Sequence, residues 1–101
     1  MDPMTNVWTH GTWVVKPGME DAFVAVWATL ANQATGRFGS ARPTLLRDRD
    51  RPNVFETFGL WPSIEAVEAF RASDMFRDAV AETGPLIDSF EPVTLDEIEW
   101  A

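Results

Sequence analysis

The chain has 101 residues, which is close to the commonest size of a single domain. It has no cysteine, which excludes disulfides and thiolate chemistry, and its net charge of −8 at pH 7 disfavours nucleic acids and anionic lipids as partners. No apolar run could span a membrane, and the first six residues lack the pattern of a signal peptide. We therefore expect one cytoplasmic domain over residues 1–101, with residues 1–6 as a flexible tail.

The first strand is predicted over residues 7–16, where strand-favouring residues are concentrated before Pro17 and Gly18. Both faces are largely apolar or small, as in a strand that is buried on both sides. Gly11 leaves room for a close approach by another group. Alternation places Val7, Thr9, Gly11, Trp13 and Val15 on one face and Trp8, His10, Thr12 and Val14 on the other.

The clearest helix is predicted over residues 19–34, where apolar residues recur at helical spacing. Acidic residues fall in its first turn, which the helix dipole favours. Gly36 is expected to end the helix, and residues 37–43 are expected to form a loop.

A hairpin follows, with strands predicted over residues 44–49 and 54–61 and a turn between them. Pro62 cannot extend a central strand because it has no N–H, and Ser63 is a good helix N-cap. Trp61 is therefore the last residue of a strand at the junction of sheet and helix. Any pocket between sheet and helices should have Trp61 in its wall, although Trp61 could instead simply cover the core.

The second helical region shows two apolar stripes, and Ser73-Asp74 between them indicates a fresh N-cap or a kink. Gly84-Pro85 closes the region, and a last strand is expected over residues 93–100, where interspersed acids suit a sheet edge. Leu86, Ile87 and Phe90 are expected to pack under a loop or short turn. The two stripes are Ile64, Val67 and Phe70, then Phe76, Ala79 and Val80.

The resulting order is β-α-β-β-α-β, the α+β ferredoxin-like arrangement, with a four-stranded antiparallel sheet and the helices on one face. The other face would be bare in a monomer and would expose a large apolar surface, which indicates a partner. We expect a symmetric homodimer that joins the two sheets face to face. The residues expected on this face include Trp8, Val14, Phe58 and Leu60.

His10 is the single side chain whose ordinary pKa permits proton transfer near neutral pH. It could act as a base, or it could be a hydrogen-bonded core residue. The sequence shows no Gly-rich phosphate loop, no nicotinamide or flavin fingerprint and no cluster of metal ligands. We therefore expect no cofactor and no metal.

Three segments have a distinctive pattern: Trp13-x-x-Lys16-Pro17-Gly18-x-Glu20-x-x-Phe23, Leu45-Leu46-Arg47-Asp48 and Phe58-Gly59-x-Trp61-x-Ser63. They resemble the antibiotic biosynthesis monooxygenase family of dimeric α/β barrels, and the resemblance covers about residues 7–100. It implies a dimeric barrel with a pocket between sheet and helices in each subunit. The family includes cofactor-free quinone-forming monooxygenases, haem-degrading enzymes and members of unknown role.

The haem-degrading branch of the family has an Asn on the first strand, a Trp ending the third strand and a His on the second long helix. Trp61 matches the Trp, but Gly11 stands at the Asn position and Val80 at the His position. The resemblance therefore disfavours haem degradation.

The leading hypothesis is a cofactor-independent monooxygenase that acts on an aromatic, polyketide-like phenol or quinol, with His10 as the candidate catalytic base. A non-catalytic protein that binds small molecules or serves a stress response is the alternative, and a cyclase or isomerase on the same fold is a third possibility. The candidate substrate-pocket residues are Trp13, Trp27, Phe55, Thr57, Trp61 and Phe70.

Overall fold

The structure, a computed structural model, describes residues 6–100, so the expected tail over residues 1–6 lies outside the described residues except for Asn6. The fold is a four-stranded antiparallel sheet covered by helices, which confirms the expected ferredoxin-like order, with the second helical region divided in two. Its elements are β1 (Val7–Val15), α1 (Glu20–Phe38), β2 (Ala41–Arg47), β3 (Val54–Trp61), α2 (Ile64–Arg71), α3 (Asp74–Thr83), a 3-10 turn (Gly84–Leu86) and β4 (Ile87–Asp96).

β1 lies in the middle of the sheet, whose strand order is β2-β3-β1-β4. It pairs with β3 from Val7 opposite Trp61 to Val14 opposite Val54, and with β4 on its other edge. The predicted alternation is confirmed, because Val7, Trp13 and Val15 are buried on the side that the helices cover. Pairing on both edges and burial on one face fix the register of β1.

α1 runs four residues beyond the expected end, so the predictions of a stop at Gly36 and a loop from residue 37 were wrong. The helix ends at Gly39, whose φ of 73° is the left-handed conformation that glycine adopts without steric cost. Phe38 gives the last turn a packing partner, since its ring lies 5.7 Å from the ring of Phe70.

β2 begins and ends earlier than expected, at Ala41 and Arg47 rather than over residues 44–49. Its end is set by Asp48, whose carboxylate accepts hydrogen bonds from the backbone N–H groups of Asp50 and Arg51 at 2.8 and 3.0 Å. This Asx-type turn competes with the strand for the backbone. Its early start includes an irregularity in pairing between Ala41 and Thr44.

Both predicted serine caps are present. The hydroxyl of Ser63 accepts a hydrogen bond from the Ala66 N–H at 3.1 Å, and the hydroxyl of Ser73 accepts one from the Phe76 N–H at 3.2 Å. The Ser73 cap starts α3 afresh, so the helical region is two helices.

β4 occupies Ile87–Asp96, so the predicted strand over residues 93–100 was placed too late. Ile87 and Phe90, expected under a loop, lie in this strand, and Leu86 lies in the preceding 3-10 turn. Pro92 is tolerated within β4 because an edge strand pairs on one side only and can turn a missing N–H outward.

The side chains between sheet and helices form two buried clusters, one around Trp61 and Phe70 and the other around Trp13 and Phe23. The opposite face of the sheet, which we call the open face, is covered by none of the helices within residues 6–100. Three of its apolar residues, Leu46, Val93 and Leu95, are 50%, 43% and 41% exposed. None of the helices between residues 6 and 100 is long and apolar enough to cross a membrane.

Candidate functional site

A cavity of about 410 Å³ lies between the sheet and the helices, within the size range of small-molecule sites. Residues of both core clusters line it. Its wall is predominantly apolar and aromatic. The lining includes Thr9, Trp13, Trp27, Leu30, Ala31, Ala34, Ser40, Thr57, Gly59, Trp61, Phe70, Arg71, Phe76, Ala79, Val80, Thr83, Ile87 and Phe90.

Two indoles are fixed at the sheet side of the cavity by hydrogen bonds that cross between β1 and β3. Trp13 Nε1 donates to Thr57 Oγ1 at 3.0 Å, and Trp61 Nε1 donates to Thr9 Oγ1 at 2.9 Å. A buried indole N–H requires such a partner, and the bond also fixes the orientation of the ring. The two aromatic planes of the wall are therefore preorganised.

A glycine lies directly opposite each of these threonines, since Gly11 pairs with Thr57 and Gly59 pairs with Thr9. The two glycines differ in their surroundings. A side-chain carbon at Gly11 would lie 2.6 Å from Phe90 Cε1, so the ring of Phe90 already occupies that space. The close approach expected at Gly11 is thus made by Phe90, a residue of this chain.

The space beside Gly59 is bordered by polar atoms. A side-chain carbon at Gly59 would lie 3.2 Å from Thr9 Oγ1, 3.2 Å from Trp61 Nε1 and 3.4 Å from Ser40 Oγ. We call this place the Gly59 niche. The missing side chain therefore leaves a small polar recess in an otherwise apolar wall.

The polar side chains of the cavity are few. Ser40 is only 5% exposed, and its hydroxyl, which makes no hydrogen bond within residues 6–100, is open to the cavity and is not a buried unpaired group. Thr83 donates to the carbonyl of Ala79 at 2.8 Å. Arg71 is the one charged side chain among the described lining residues, and it is exposed. The cavity thus offers hydroxyls on its inner wall and a cation at a solvent-exposed position.

Five of the six predicted pocket residues line the cavity. Phe55 does not, because α1 covers that part of β3 and the ring of Phe55 lies 5.1 Å from the ring of Phe23 in the fully buried core. The five are Trp13, Trp27, Thr57, Trp61 and Phe70. Their contact with a substrate stays a prediction.

His10 lies on the open face, away from the cavity. Its Nε2 is 2.7 Å from Glu56 Oε1, and its ring stacks on Phe58 with centroids 4.6 Å apart. Glu56 Oε1 also accepts a hydrogen bond from Thr12 Oγ1 at 2.7 Å, and this bond, followed by the contact with His10, lowers the pKa of Glu56. The strand β1 therefore stands between His10 and the cavity, and the predicted base does not face the predicted pocket.

Several residues of the cavity wall were not predicted from the sequence, among them Thr9, Ser40 and Phe90. Thr9 could have been found, because alternation already placed it on the same face as Trp13. Ser40 carries no such signal, since it follows the left-handed turn at Gly39. Phe90 was expected to pack under a loop or short turn, and only the pairing of β4 with β1 brings its ring over Gly11, with its centroid 3.8 Å from that of Trp13.

The two positions compared with the haem-degrading branch offer no ligand. Phe90 and Trp13 fill the space at Gly11, and Val80 is an aliphatic residue in the cavity wall. No cluster of three or more metal-binding side chains occurs within residues 6–100.

Fold and cavity together define an α+β protein of ferredoxin-like topology with a cavity between sheet and helices. The family model for antibiotic biosynthesis monooxygenases matches residues 7–82, and the chain belongs to this family. No curated protein matches the chain.

Solved structures share the fold at low sequence identity. SnoaB, a cofactor-independent oxygenase from Streptomyces nogalater, is 23% identical over 95% of this chain and 96% of its own, with a TM-score of 0.85. A protein from Caulobacter crescentus, provisionally named an antibiotic biosynthesis monooxygenase, is 23% identical over 95% of this chain and 92% of its own, with a TM-score of 0.86. Protein SO0527 from Shewanella oneidensis is 22% identical over 93% of this chain and 92% of its own, with a TM-score of 0.83.

Proposed function

We propose that the protein is a cofactor-independent monooxygenase that oxidises an aromatic, polyketide-like phenol or quinol in the cavity. The main support for this proposal is the preformed wall of Trp13 and Trp61, whose indoles are fixed in orientation by hydrogen bonds to threonines. Such a wall suits a planar ring system. The shared fold of SnoaB, which is named as a cofactor-independent oxygenase, supports the reaction class.

The chemistry requires no external reductant. A phenol with hydrogen on its para carbon reacts with dioxygen to give a quinone and water. One oxygen atom becomes the new carbonyl and the other leaves as water, and the phenol supplies all four electrons. Ionisation of the phenol is the step that a protein can favour, because the phenolate gives up an electron to dioxygen more readily than the phenol does. The cavity then has to hold the anion and keep water away.

The wall of the cavity offers no ordinary base for the proton of the phenol. No described lining residue is Asp, Glu, His, Lys, Cys or Tyr, and the guanidinium of Arg71 has no acceptor atom. His10 stays a predicted base, and the pH profile of a His10→Ala variant tests it. An unchanged profile would remove His10 from the mechanism. Loss of the increase in rate with pH would identify His10 as the group that accepts the proton of the phenol.

The same absence of a base among the described lining residues favours the second candidate, a protein that binds small aromatic molecules without changing them. An oxygen electrode separates the two candidates. The monooxygenase should consume one dioxygen per hydroxyquinone formed from a panel of quinols, in the presence of a metal chelator, and should place one atom from ¹⁸O₂ in the product and the other in water. Binding of the same quinols without oxygen consumption above the uncatalysed rate would leave the binding protein.

We further propose that a second copy of this chain covers the open face. Trp8, Phe58 and Leu60 lie there beside Val93 and Leu95, which are exposed in the monomer. A contiguous apolar surface on a soluble domain indicates an interface. A twofold dimer would place the open face of one copy against the open face of the other and bury the apolar surface of both.

A further inference from the structure

We propose that the Gly59 niche is an oxyanion site, in which the hydroxyls of Ser40 and Thr9 together hold the phenolate oxygen of the substrate. This inference rests on the proposed function, because it concerns a ligand of the same cavity. It assigns to Ser40 a part in substrate binding and to Gly59 the role of leaving room for the oxygen.

The first argument is geometric. The position that a side chain of residue 59 would fill lies 3.2 Å from Thr9 Oγ1 and 3.4 Å from Ser40 Oγ. A ligand oxygen cannot occupy that position itself, which is one bond length from the Gly59 Cα, but with no side chain there it can contact the Cα and approach both hydroxyls. At Gly11, the matching space holds the ring of Phe90. Only one of the two Trp–Thr pairs thus borders an open recess.

The second argument counts protons. Trp61 donates to Thr9 Oγ1, so the oxygen of Thr9 is the acceptor and its own proton is left to donate. No hydrogen bond within residues 6–100 uses that proton or the hydroxyl of Ser40, whose oxygen is open to the cavity. Thr57 differs, because it donates to the carbonyl of Gly11 at 3.5 Å. The niche therefore presents two donors and calls for a ligand atom that accepts two hydrogen bonds.

The third argument is energetic. A phenolate oxygen accepts two or more hydrogen bonds, whereas a phenol must also place its own proton. Donors that are fixed before the ligand arrives stabilise the charged form and lower the pKa of the bound phenol. The bond from Trp61 polarises the hydroxyl of Thr9 further. Hydrogen bonds in the niche would therefore favour ionisation of the phenol although the cavity wall has no base, and the proton would pass to solvent.

The probe for the test is 4-nitro-1-naphthol, whose anion is coloured, with 1-nitronaphthalene as a partner of similar shape that lacks the oxygen. Absorbance gives the pH at which the bound naphthol ionises, and calorimetry gives both affinities. On the wild-type protein the bound naphthol should ionise at lower pH than in buffer. Ser40→Ala should raise that midpoint by about one pH unit and weaken naphtholate binding about tenfold. The affinity for 1-nitronaphthalene should stay the same.

Two further variants locate the effect. Gly59→Ala fills the niche and should weaken naphtholate as Ser40→Ala does. Ser89→Ala removes a hydroxyl from β4 opposite Val14 and should change neither affinity. Arg71 also attracts anions, so the Ser40 comparison is repeated in an Arg71→Gln background, where the shift should persist. Ser40→Ala should not lower the melting temperature, because the hydroxyl has no described partner to lose.

The outcomes separate the niche from the proposed function. An unchanged midpoint in Ser40→Ala, with both probes still bound, would overturn the oxyanion site and leave the aromatic pocket standing. A shift that vanishes in the Arg71→Gln background would assign the effect to Arg71 and overturn the niche as well. If neither probe binds the wild-type protein, the aromatic pocket fails, and the niche fails with it.

Discussion

The indole nitrogen of Trp61 donates a hydrogen bond of 2.9 Å to the hydroxyl of Thr9 on the neighbouring strand. This bond joins β3 to β1 at the sheet side of the cavity. On its other side the indole meets the ring of Phe70, with centroids 5.0 Å apart. One side chain thus closes the core, shapes the cavity wall and sets which hydroxyl proton stays available to a ligand.

Trp61→Ala should lower both stability and ligand affinity. Removing a buried aromatic side chain costs about 3–5 kcal/mol of unfolding free energy. The lost stacking should weaken a planar ligand by about 1 kcal/mol. Melting temperature and calorimetric affinity for the same quinol panel measure the two effects. Trp100→Ala is the matched control, because Trp100 is 91% exposed, and it should change neither quantity.

Trp61→Phe refines this test, since it keeps one aromatic ring and removes the bond to Thr9 together with the rest of the indole. Its stability should lie between those of the wild type and Trp61→Ala. A folded Trp61→Ala variant with wild-type affinity across the whole panel would show that Trp61 serves the core alone, and the pocket as placed here would be wrong.

Glu56 should make stability depend on pH in the acid range. Its pKa lies below the usual 4.5, chiefly because of the hydrogen bond from Thr12. A carboxyl whose pKa is lowered by folding stabilises the protein above the pKa of the unfolded chain, and this contribution is lost as the pH falls through the lowered pKa. The wild type should therefore melt above Glu56→Gln at neutral pH, and the difference should disappear in acid.

Melting temperatures of the two proteins between pH 3 and 7 measure this dependence. Glu99→Gln, a change outside the sheet and helices, should give no pH-dependent difference from the wild type. A gap between wild type and Glu56→Gln that keeps its size down to pH 3 would show that the charge of Glu56 contributes nothing to folding.

Leu95→Asp should dissociate the proposed dimer. Leu95 lies on the open face, paired in register with Trp8, so an interface there would bury an unpaired charge. Sedimentation equilibrium should give a dimer for the wild type and a species near 11.3 kDa for the variant. Ile98→Asp, an exposed site beyond the end of β4, is the control and should stay dimeric. A monomeric wild type at micromolar concentration would reject the dimer outright.

Haem should not bind specifically, because Gly11 and Val80 stand where the haem-degrading branch has Asn and His. A titration should therefore show no sharp Soret shift at one haem per chain. If such a shift did occur, the expectation would be wrong, and a His10→Ala variant would show whether the single histidine is the ligand.

Interactions between residues close in the sequence made part of this structure predictable. Alternation assigned the faces of β1, and Pro62 ended β3 after Trp61 because a proline cannot donate to the sheet. Ser63 and Ser73 signalled the starts of α2 and α3, because a hydroxyl can cap free N–H groups at short range. Such signals act over a few residues and need no partner from elsewhere in the chain. The order of the elements, and with it the fold, follows from them.

Contacts between distant segments decided the site. Gly11 and Gly59 are alike in the sequence, and the recess is open at Gly59 alone because Phe90 arrives from β4 to fill the other. Ser40 reaches the same recess because α1 runs on to Phe38 and turns at Gly39, where the packing of Phe38 on Phe70 outweighs the glycine at residue 36. Alternation in the sequence places His10 and Gly11 on opposite faces of β1. Only the packing of the helices decides which of these faces borders the cavity. That choice depends on the burial of side chains far apart in the chain, which no local pattern encodes.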